Sequence, residues 1–243
     1  VSDSVVIIPT YNEIENIEKM VQAVMELEHN FDILFIDDNS PDGTANQIQK
    51  EILNYQGRIF LEQRPGKLGL GTAYIHGFKW ALSKEYDYIF EMDCDFSHNP
   101  KDLMKLYQAC KNGADLSIGS RYVDGGKVKN WPLGRILMSY FASVYVRLVL
   151  WINIKDTTAG FKCYQRKVLD TIDFSKIEFK GYAFQICMKY AALQLGFKIK
   201  EVPITFIDRL YGESKMSSGI FKEAFFGVWK MKKTNLRNEN YVN

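Results

Sequence analysis

Two aspartates one residue apart, Asp93 and Asp95, stand at the exit of Tyr88–Met92, an apolar run that reads as a strand. Alternate residues of an extended chain point to one side, so the two carboxylates share a face. Hard oxygen ligands arranged this way suit Mg²⁺ or Mn²⁺ bound together with substrate phosphates. Two more polar clusters follow strand-like runs: Pro9-Thr10-Tyr11-Asn12-Glu13 after Ser4–Pro9, and Asp37-Asp38-Asn39-Ser40-Pro41-Asp42-Gly43 after Phe31–Asp37. Singly, each is also a good turn or helix cap, because Asn12, Ser40 and Asp42 are favoured capping types. Together they bring several carboxylates to one rim, where like charges repel unless a cation or ligand compensates.

A glycine-rich stretch, Arg64-Pro65-Gly66-Lys67-Leu68-Gly69-Leu70-Gly71, opens a helix. It is neither a Walker A loop nor a GxGxxG after the first strand, which excludes the usual NTPase and dinucleotide readings. A glycine loop with Lys67 at a helix N-terminus suits an anion, and a tight turn with a solvated lysine accounts for it equally well. A basic set lies downstream. Arg121 follows the strand Leu116–Ser120, Arg135 starts a long apolar helix, and Arg209 and Lys215 flank a short loop. A scattered arginine is more often solvated or salt-bridged than functional. The three histidines lack metal-ligand spacing; His29 reads as surface, and His98 stays open because it follows the Asp93–Asp95 pair.

These residues need a frame. Strand-like runs (also Arg58–Gln63) alternate with helical patterns at Ile14–Glu28, Thr44–Tyr55, Gly71–Ser83 and Pro100–Asn112. That alternation predicts a parallel sheet covered on both faces, with the ligand beyond the carboxyl ends of its strands. The second half is less regular. A loop over Tyr122–Trp131, an apolar helix near Gly134–Asn153, a polar turn at Asp156–Gly160, a short strand, a helix near Tyr182–Leu195, a strand Ile199–Ile207 and a helix Gly219–Lys233 are expected.

Composition bounds the rest. The 243 residues are 47% hydrophobic and 25% charged, as in an ordinary globular domain. A net charge of +2 gives no sign of a nucleic-acid partner. Four cysteines with no CxxC argue against structural zinc and for a reducing, cytoplasmic setting. The N-terminal apolar run has no basic leader and does not read as a secretory signal. Ile136–Ile152 contains Arg147, Ser139 and Ser143 and falls short of a clean span of about 20 residues, so no transmembrane helix is expected.

In order along the chain, PTYNE, DDNSPDG, GKLGLGTA, MDCDFSHNP, GSRY, DTTAGFKCY, GYAFQ and EVPITFIDRLYGESK resemble the dolichol-phosphate mannose synthases of glycosyltransferase family 2. The likeness runs from Val5 to about Lys215. It implies a GT-A type, Rossmann-like α/β fold with helices on both faces of the sheet. Residues 1–217 would form the transferase domain, with a nucleotide-sugar half (1–120) and an acceptor half (121–217). Residues 218–243 would form an amphipathic helix and tail. By this resemblance Pro9, Tyr11, Glu13 and Asp38 line the nucleoside pocket with Lys67 nearby. Asp93 and Asp95 hold the metal. Ser97 stands where some relatives have a glutamine as a third metal contact. Arg121, Arg135 and Ser139 hold the acceptor phosphate, and Arg209 and Lys215 close over the donor. Many relatives carry a glutamate where this chain has Cys187.

The implied reaction moves mannose from GDP-mannose to a polyprenyl phosphate with inversion; UDP-glucose is the alternative donor. The helix near Gly134–Asn153 is apolar on most faces. Gly219–Lys233 mixes aromatic residues with Lys222, Lys230, Lys232 and Lys233, a pattern of interfacial helices. Both features fit peripheral binding at the cytoplasmic face of a membrane. They also fit packing on the sheet or on a membrane-anchoring partner subunit. Two other classes compete. A sugar-1-phosphate nucleotidyltransferase would need a Gly- and Arg-rich loop where PTYNE stands, and a non-catalytic subunit would have no use for an intact Asp93–Asp95 pair.

Overall fold

The computed structural model describes residues 2–208 and 218–234. Seven strands form one sheet: β1 (Ser4–Thr10), β2 (Phe31–Asp37), β3 (Ile59–Gln63), β4 (Tyr88–Glu91), β5 (Leu116–Ser120), β7 (Lys162–Gln165) and β8 (Ile199–Pro203), in the order β3-β2-β1-β4-β7-β5-β8. β1 pairs in parallel with β2 and β4, and β5 with β8. The expected parallel sheet is present, with one strand, β7, running antiparallel between β4 and β5. Its sequence, KCYQ, encodes no direction. A pleat-compatible strand can be entered from either end, and the turn at Asp156–Gly160 decides which.

The helices are α1 (Ile14–Met25), α2 (Thr44–Asn54), α3 (Leu70–Leu82), α4 (Asp102–Lys111), α5 (Leu133–Leu150), the short α6 (Arg166–Thr171), α7 (Tyr182–Gln194) and α8 (Ser218–Met231). The period-two alternation of β1 sorts them. Val5 and Ile7 face a core shared with α3, α5, α7 and α8, whereas Val6 and Ile8 face a core shared with α1, α2 and α4. Because both faces are covered, β1 and β2 read as continuous apolar runs. In α1 the buried Ile17, Met20, Val21 and Val24 follow helical spacing.

Two details depart from the sequence expectation. The loop Tyr122–Trp131 contains β6 (Lys127–Lys129), and the expected strand Ile199–Ile207 breaks at Ile204 into β8 and β9 (Thr205–Ile207). β6 and β9 pair in parallel as a second, two-stranded sheet. That pairing carries Trp131 and Phe206 over the rim of the main sheet. In addition, α5 is 18 residues long with a mean hydropathy of 1.4 and only 17% of it buried, so by length and composition alone it could cross a membrane. Its inner stripe is Ser143, Val146 and Leu150, while Leu133, Leu137, Met138, Tyr140, Phe141 and Leu148 are exposed. Trp151, at φ +57, ends the helix.

The sheet order reverses between β1 and β4, a topological switch point where open α/β sheets bind ligands. Asn12, Asn39 and Phe96 adopt φ values of +57, +57 and +58 just after β1, β2 and β4. Such backbone is uncommon for residues other than glycine and clusters at functional sites.

Candidate active site

A cleft of about 450 Å³ opens at this switch point, the size of pocket that holds a small ligand. Most of the expected site residues line it: Pro9, Tyr11 and Glu13 after β1, Asp38 after β2, Lys67 in the glycine loop, and Asp93, Asp95 and Ser97 after β4. Arg121 and Arg135 line it as well. Ser139 does not; its hydroxyl lies against the Tyr122 phenol, beside the cleft. Arg209 and Lys215 lie outside the described residues.

On the nucleotide side, Asp38 is held by a residue that sequence reasoning treated only as the start of the glycine loop. The Arg64 guanidinium donates from Nε to Asp38 Oδ1 (2.6 Å) and from Nη2 to Oδ2 (2.8 Å), and from Nη1 to Thr72 Oγ1 in α3. This buried fork ties the β2 exit to the helix that follows the glycine loop. Gly71 is required there by space, since a Cβ would come within 2.8 Å of the Phe179 carbonyl and of the Phe184 ring. Lys67 lies 4.9 Å above the Tyr11 ring. Capping explains much of the acidic cluster after β2. Asp37 accepts from Thr10 and Ser40, and Asp42 from Thr44 and from the Ile14 N–H.

Asp93 and Asp95 keep a different environment. Asp93 is partly exposed and accepts from the Tyr74 hydroxyl at 3.3 Å. Burial, then Asp93, push the Tyr74 phenol well above its usual range, so it stays a donor. Asp95 Oδ1 accepts from the Ser97 N–H at 3.0 Å, which closes the turn that Phe96 begins. Ser97 itself is buried. His98 is buried as well, and burial lowers its pKa to about 4, with Arg121 acting in the same direction and Asp95 and Asp156 opposing. The imidazole is therefore neutral at pH 7. Its Nδ1 has no hydrogen-bond partner and sits 3.9 Å from Asp93 Oδ2.

Two carboxylates at a cleft rim are oxygen donors of the kind a hard divalent cation takes. Among the described residues no three His, Cys, Asp or Glu side chains are placed so that they could hold a metal ion. The remaining ligands would be oxygens of the bound diphosphate and water, the usual arrangement for Mg²⁺.

Arg121 is more deeply committed than its sequence position suggests. Its Nε and Nη2 donate to the two oxygens of Asp156 at 2.7 and 2.6 Å, and Nη2 also reaches Thr158. Burial raises the Asp156 carboxyl, but Arg121 overrides it and holds the pKa below the usual value. One edge of the Arg121 guanidinium therefore belongs to Asp156. Arg135 is more open. It pairs with Asp208 at 3.1 Å and lies 4.1 Å above the Trp131 ring, which also has the Arg121 guanidinium at 5.5 Å and the Phe206 ring at 5.2 Å. Trp131 thus spaces two guanidinium groups on one wall, an arrangement that cation–π attraction favours.

Beneath the cleft floor runs a buried polar network that the sequence hides inside apolar runs. Glu91 and Lys162, both fully buried, pair at 3.0 Å. Tyr164 and Gln185 donate to Glu91 at 2.8 Å each, and Lys162 donates to Gln185, which lines the cleft. Cys187 is buried beside this network. Burial pushes its thiol up to about 12, against a smaller opposing effect of Lys162. At the Cys187 position the chain thus carries no charge, and Lys162 finds its counter-charge in Glu91.

Residues 5–173 match the family described as Glycosyl transferase family 2. The chain is 46% identical to the polyprenol monophosphomannose synthase of Mycolicibacterium smegmatis over 225 residues, covering 93% of this chain and 85% of that one. It is 45% identical to the undecaprenyl-phosphate mannosyltransferase of Micrococcus luteus over 222 residues, covering 91% of this chain and 90% of the relative. Among solved structures, glucosyl-3-phosphoglycerate synthase from Mycobacterium tuberculosis, crystallised with Mn²⁺, UDP and phosphoglyceric acid, superposes with a TM-score of 0.69 at 15% identity, over 94% of this chain and 78% of that one. That likeness establishes the GT-A type fold. With the match covering most of its length, the chain belongs to glycosyltransferase family 2.

Proposed function

We propose that the protein transfers mannose from GDP-mannose to a polyprenyl phosphate, with inversion at the sugar. The observation that carries this reading is the cleft itself. Asp93, Asp95, Arg121 and Arg135 line one cleft, and Arg135 stands at the start of α5, whose outer face bears the exposed Leu133, Leu137, Met138 and Phe141. A phosphate held at Arg135 can therefore leave its prenyl tail along an apolar helix. The two relatives, a polyprenol monophosphomannose synthase and an undecaprenyl-phosphate mannosyltransferase, support the same acceptor class.

A phosphomonoester has a second pKa of about 6, so near pH 7 the acceptor is mostly dianionic and needs no general base. What the chain supplies is alignment and charge. Arg135, steadied by Trp131 and Asp208, and Arg121 orient the phosphate oxygen behind the anomeric carbon. As that oxygen bonds to carbon, the bond from carbon to the nucleoside diphosphate breaks, and in-line displacement inverts the centre. Lys67, beside the N-terminus of α3, offsets charge on the departing diphosphate. A Mg²⁺ or Mn²⁺ ion at Asp93 and Asp95 would supply Lewis-acid stabilisation of that leaving group. In this reading residues 1–120 bind the donor and 121–217 the acceptor.

α8 extends the apolar surface. Phe225 stacks on Tyr145 of α5 at 4.7 Å, Trp229 donates to the Tyr145 hydroxyl, and Phe225, Phe226 and Trp229 are exposed beside Lys230, Lys232 and Lys233. This aromatic and basic mixture suits a membrane interface.

Donor choice is tested by calorimetry with GDP and UDP, each in the presence of Mg²⁺. GDP is expected to bind at least about tenfold more tightly, a difference of about 1.4 kcal/mol. Tighter binding of UDP would reassign the sugar donor and leave the lipid-phosphate acceptor reading in place.

A further inference from the structure

We propose that Lys189 is a positioning residue for the acceptor phosphate: it fixes the turn that holds Arg121. The proposal rests on the reading of Arg121 and Arg135 as ligands of that phosphate. Lys189 lies on α7 and is 1% exposed. Its Nζ donates to the Ala159 carbonyl at 2.6 Å. Ala159 belongs to the turn Asp156–Gly160, of which Thr158, Ala159 and Gly160 line the cleft. The same turn grips Arg121, whose Nε and Nη2 go to Asp156 and whose Nη2 also reaches Thr158 at 2.7 Å. Lys189 therefore pins the residue directly after one partner of Arg121.

The turn is fastened along its length. At its start Glu201 of β8 accepts from the N–H groups of Lys155 and Asp156, at 2.7 and 2.9 Å. Arg121 holds the side chains of Asp156 and Thr158. The far end leans on α7. A Cβ on Gly160 would meet the Gln185 amide at 3.5 Å, and Lys189, four residues after Gln185 on the same helix face, bonds Ala159. Lys189 acts on the partner of Arg121 as well. Burial raises the Asp156 carboxyl, and Arg121 and then Lys189 lower it.

A buried amine is a costly means of holding one carbonyl. Burial pushes the Lys189 pKa well below its usual value, Lys162 acts in the same direction, and Asp156 opposes. An apolar side chain of equal length would avoid that desolvation. In natural proteins such costs to stability concentrate at functional sites.

Steady-state transfer by the whole protein, with GDP-mannose and a short polyprenyl phosphate varied in turn, tests the proposal alongside GDP affinity and melting temperature. Lys189→Met keeps the length and removes the donor. It is expected to lower acceptor kcat/KM at least about tenfold. Donor KM and GDP affinity should stay at wild-type values, and the melting temperature should shift by less than about 5 °C. Amide hydrogen exchange in residues 155–161 should speed up. Wild-type acceptor kinetics in folded Lys189→Met, or an equal loss of donor use, overturns the proposal. Should Lys189→Met not fold, Lys189→Gln, one atom shorter and still polar, decides on the same readouts. Failure of both to fold makes Lys189 a structural residue and overturns it too. Arg135→Ala separates the two readings. Acceptor use lost there but kept in Lys189→Met removes Lys189 alone; acceptor use kept in both removes the acceptor reading with it.

Discussion

Asp93→Asn and Asp95→Asn are each expected to cut sugar transfer by roughly 10²–10³-fold or more while the protein stays folded. An amide occupies the same volume as the carboxylate but is a far poorer partner for a hard cation. Local structure favours a clean result. In Asp93→Asn the amide oxygen can still accept from Tyr74, and in Asp95→Asn it can still accept from the Ser97 N–H. Both side chains are partly exposed at the cleft rim, so neither exchange strands a buried charge. Steady-state transfer and melting temperature should be read on the same preparations. Wild-type transfer that persists in excess EDTA, or variants that keep full activity, would remove the metal from the mechanism.

Arg121 and Arg135, which also line the cleft, are expected to fail in different ways. Arg121→Ala leaves Asp156, which is fully buried, without its counter-charge. Breaking a buried pair by removing one partner costs about 3–5 kcal/mol. In a domain of this size each kcal/mol lowers the melting temperature by about 2–4 °C, so a drop of roughly 6–20 °C is expected. The pH dependence should change too. With Arg121 in place the Asp156 pKa lies below its unfolded value, so its contribution to stability is complete above the unfolded value near 3.8 and lost as pH falls through the lower folded value. Without Arg121, burial alone raises that pKa, and acid sensitivity should begin at higher pH. Arg135→Ala should behave otherwise, since its partner Asp208 is partly exposed. The expected loss is one charge-assisted phosphate contact, about 1.5–3 kcal/mol or one to two decades in acceptor kcat/KM. GDP affinity and melting temperature should barely move. Arg135→Lys should rescue only in part, because an ammonium restores charge and not the fork. Unchanged acceptor kinetics in Arg135→Ala, or an equal loss of GDP binding, would take this residue out of the acceptor site.

The contrast between these arginines marks where sequence reasoning stops. β1, β2, β4 and β5 were legible because buried strands bounded by polar clusters differ sharply from amphipathic helices in period. The polar ends of those strands were legible for the same reason. In a parallel sheet they share one rim, and Tyr11, Asp38, Asp93 and Arg121 do line one cleft. Pairing between distant segments was not legible. Nothing near Arg121 in sequence marks Asp156, 35 positions later, as its buried partner. Glu91 and Lys162 sit inside apolar patterns that read as plain strand, yet they meet under the cleft floor. Trp131 looked like loop. It becomes a wall of the site only because β6 pairs with β9, two three-residue strands too short to stand out from their surroundings. Arg64 carried a usable signal, since a charged residue directly after a strand and before a glycine loop invites a search for a nearby acid, and Asp38 supplies it.

The measurement that bears most directly on the account is transfer itself. Purified protein would be incubated with radiolabelled GDP-mannose, a short polyprenyl phosphate and Mg²⁺, and label counted in the lipid phase. The account predicts lipid-linked mannose with a β configuration, lost on adding EDTA and reduced at least about tenfold in Arg135→Ala. A folded protein that binds GDP yet moves no label to the lipid phosphate, or that moves it equally well in EDTA, would contradict it.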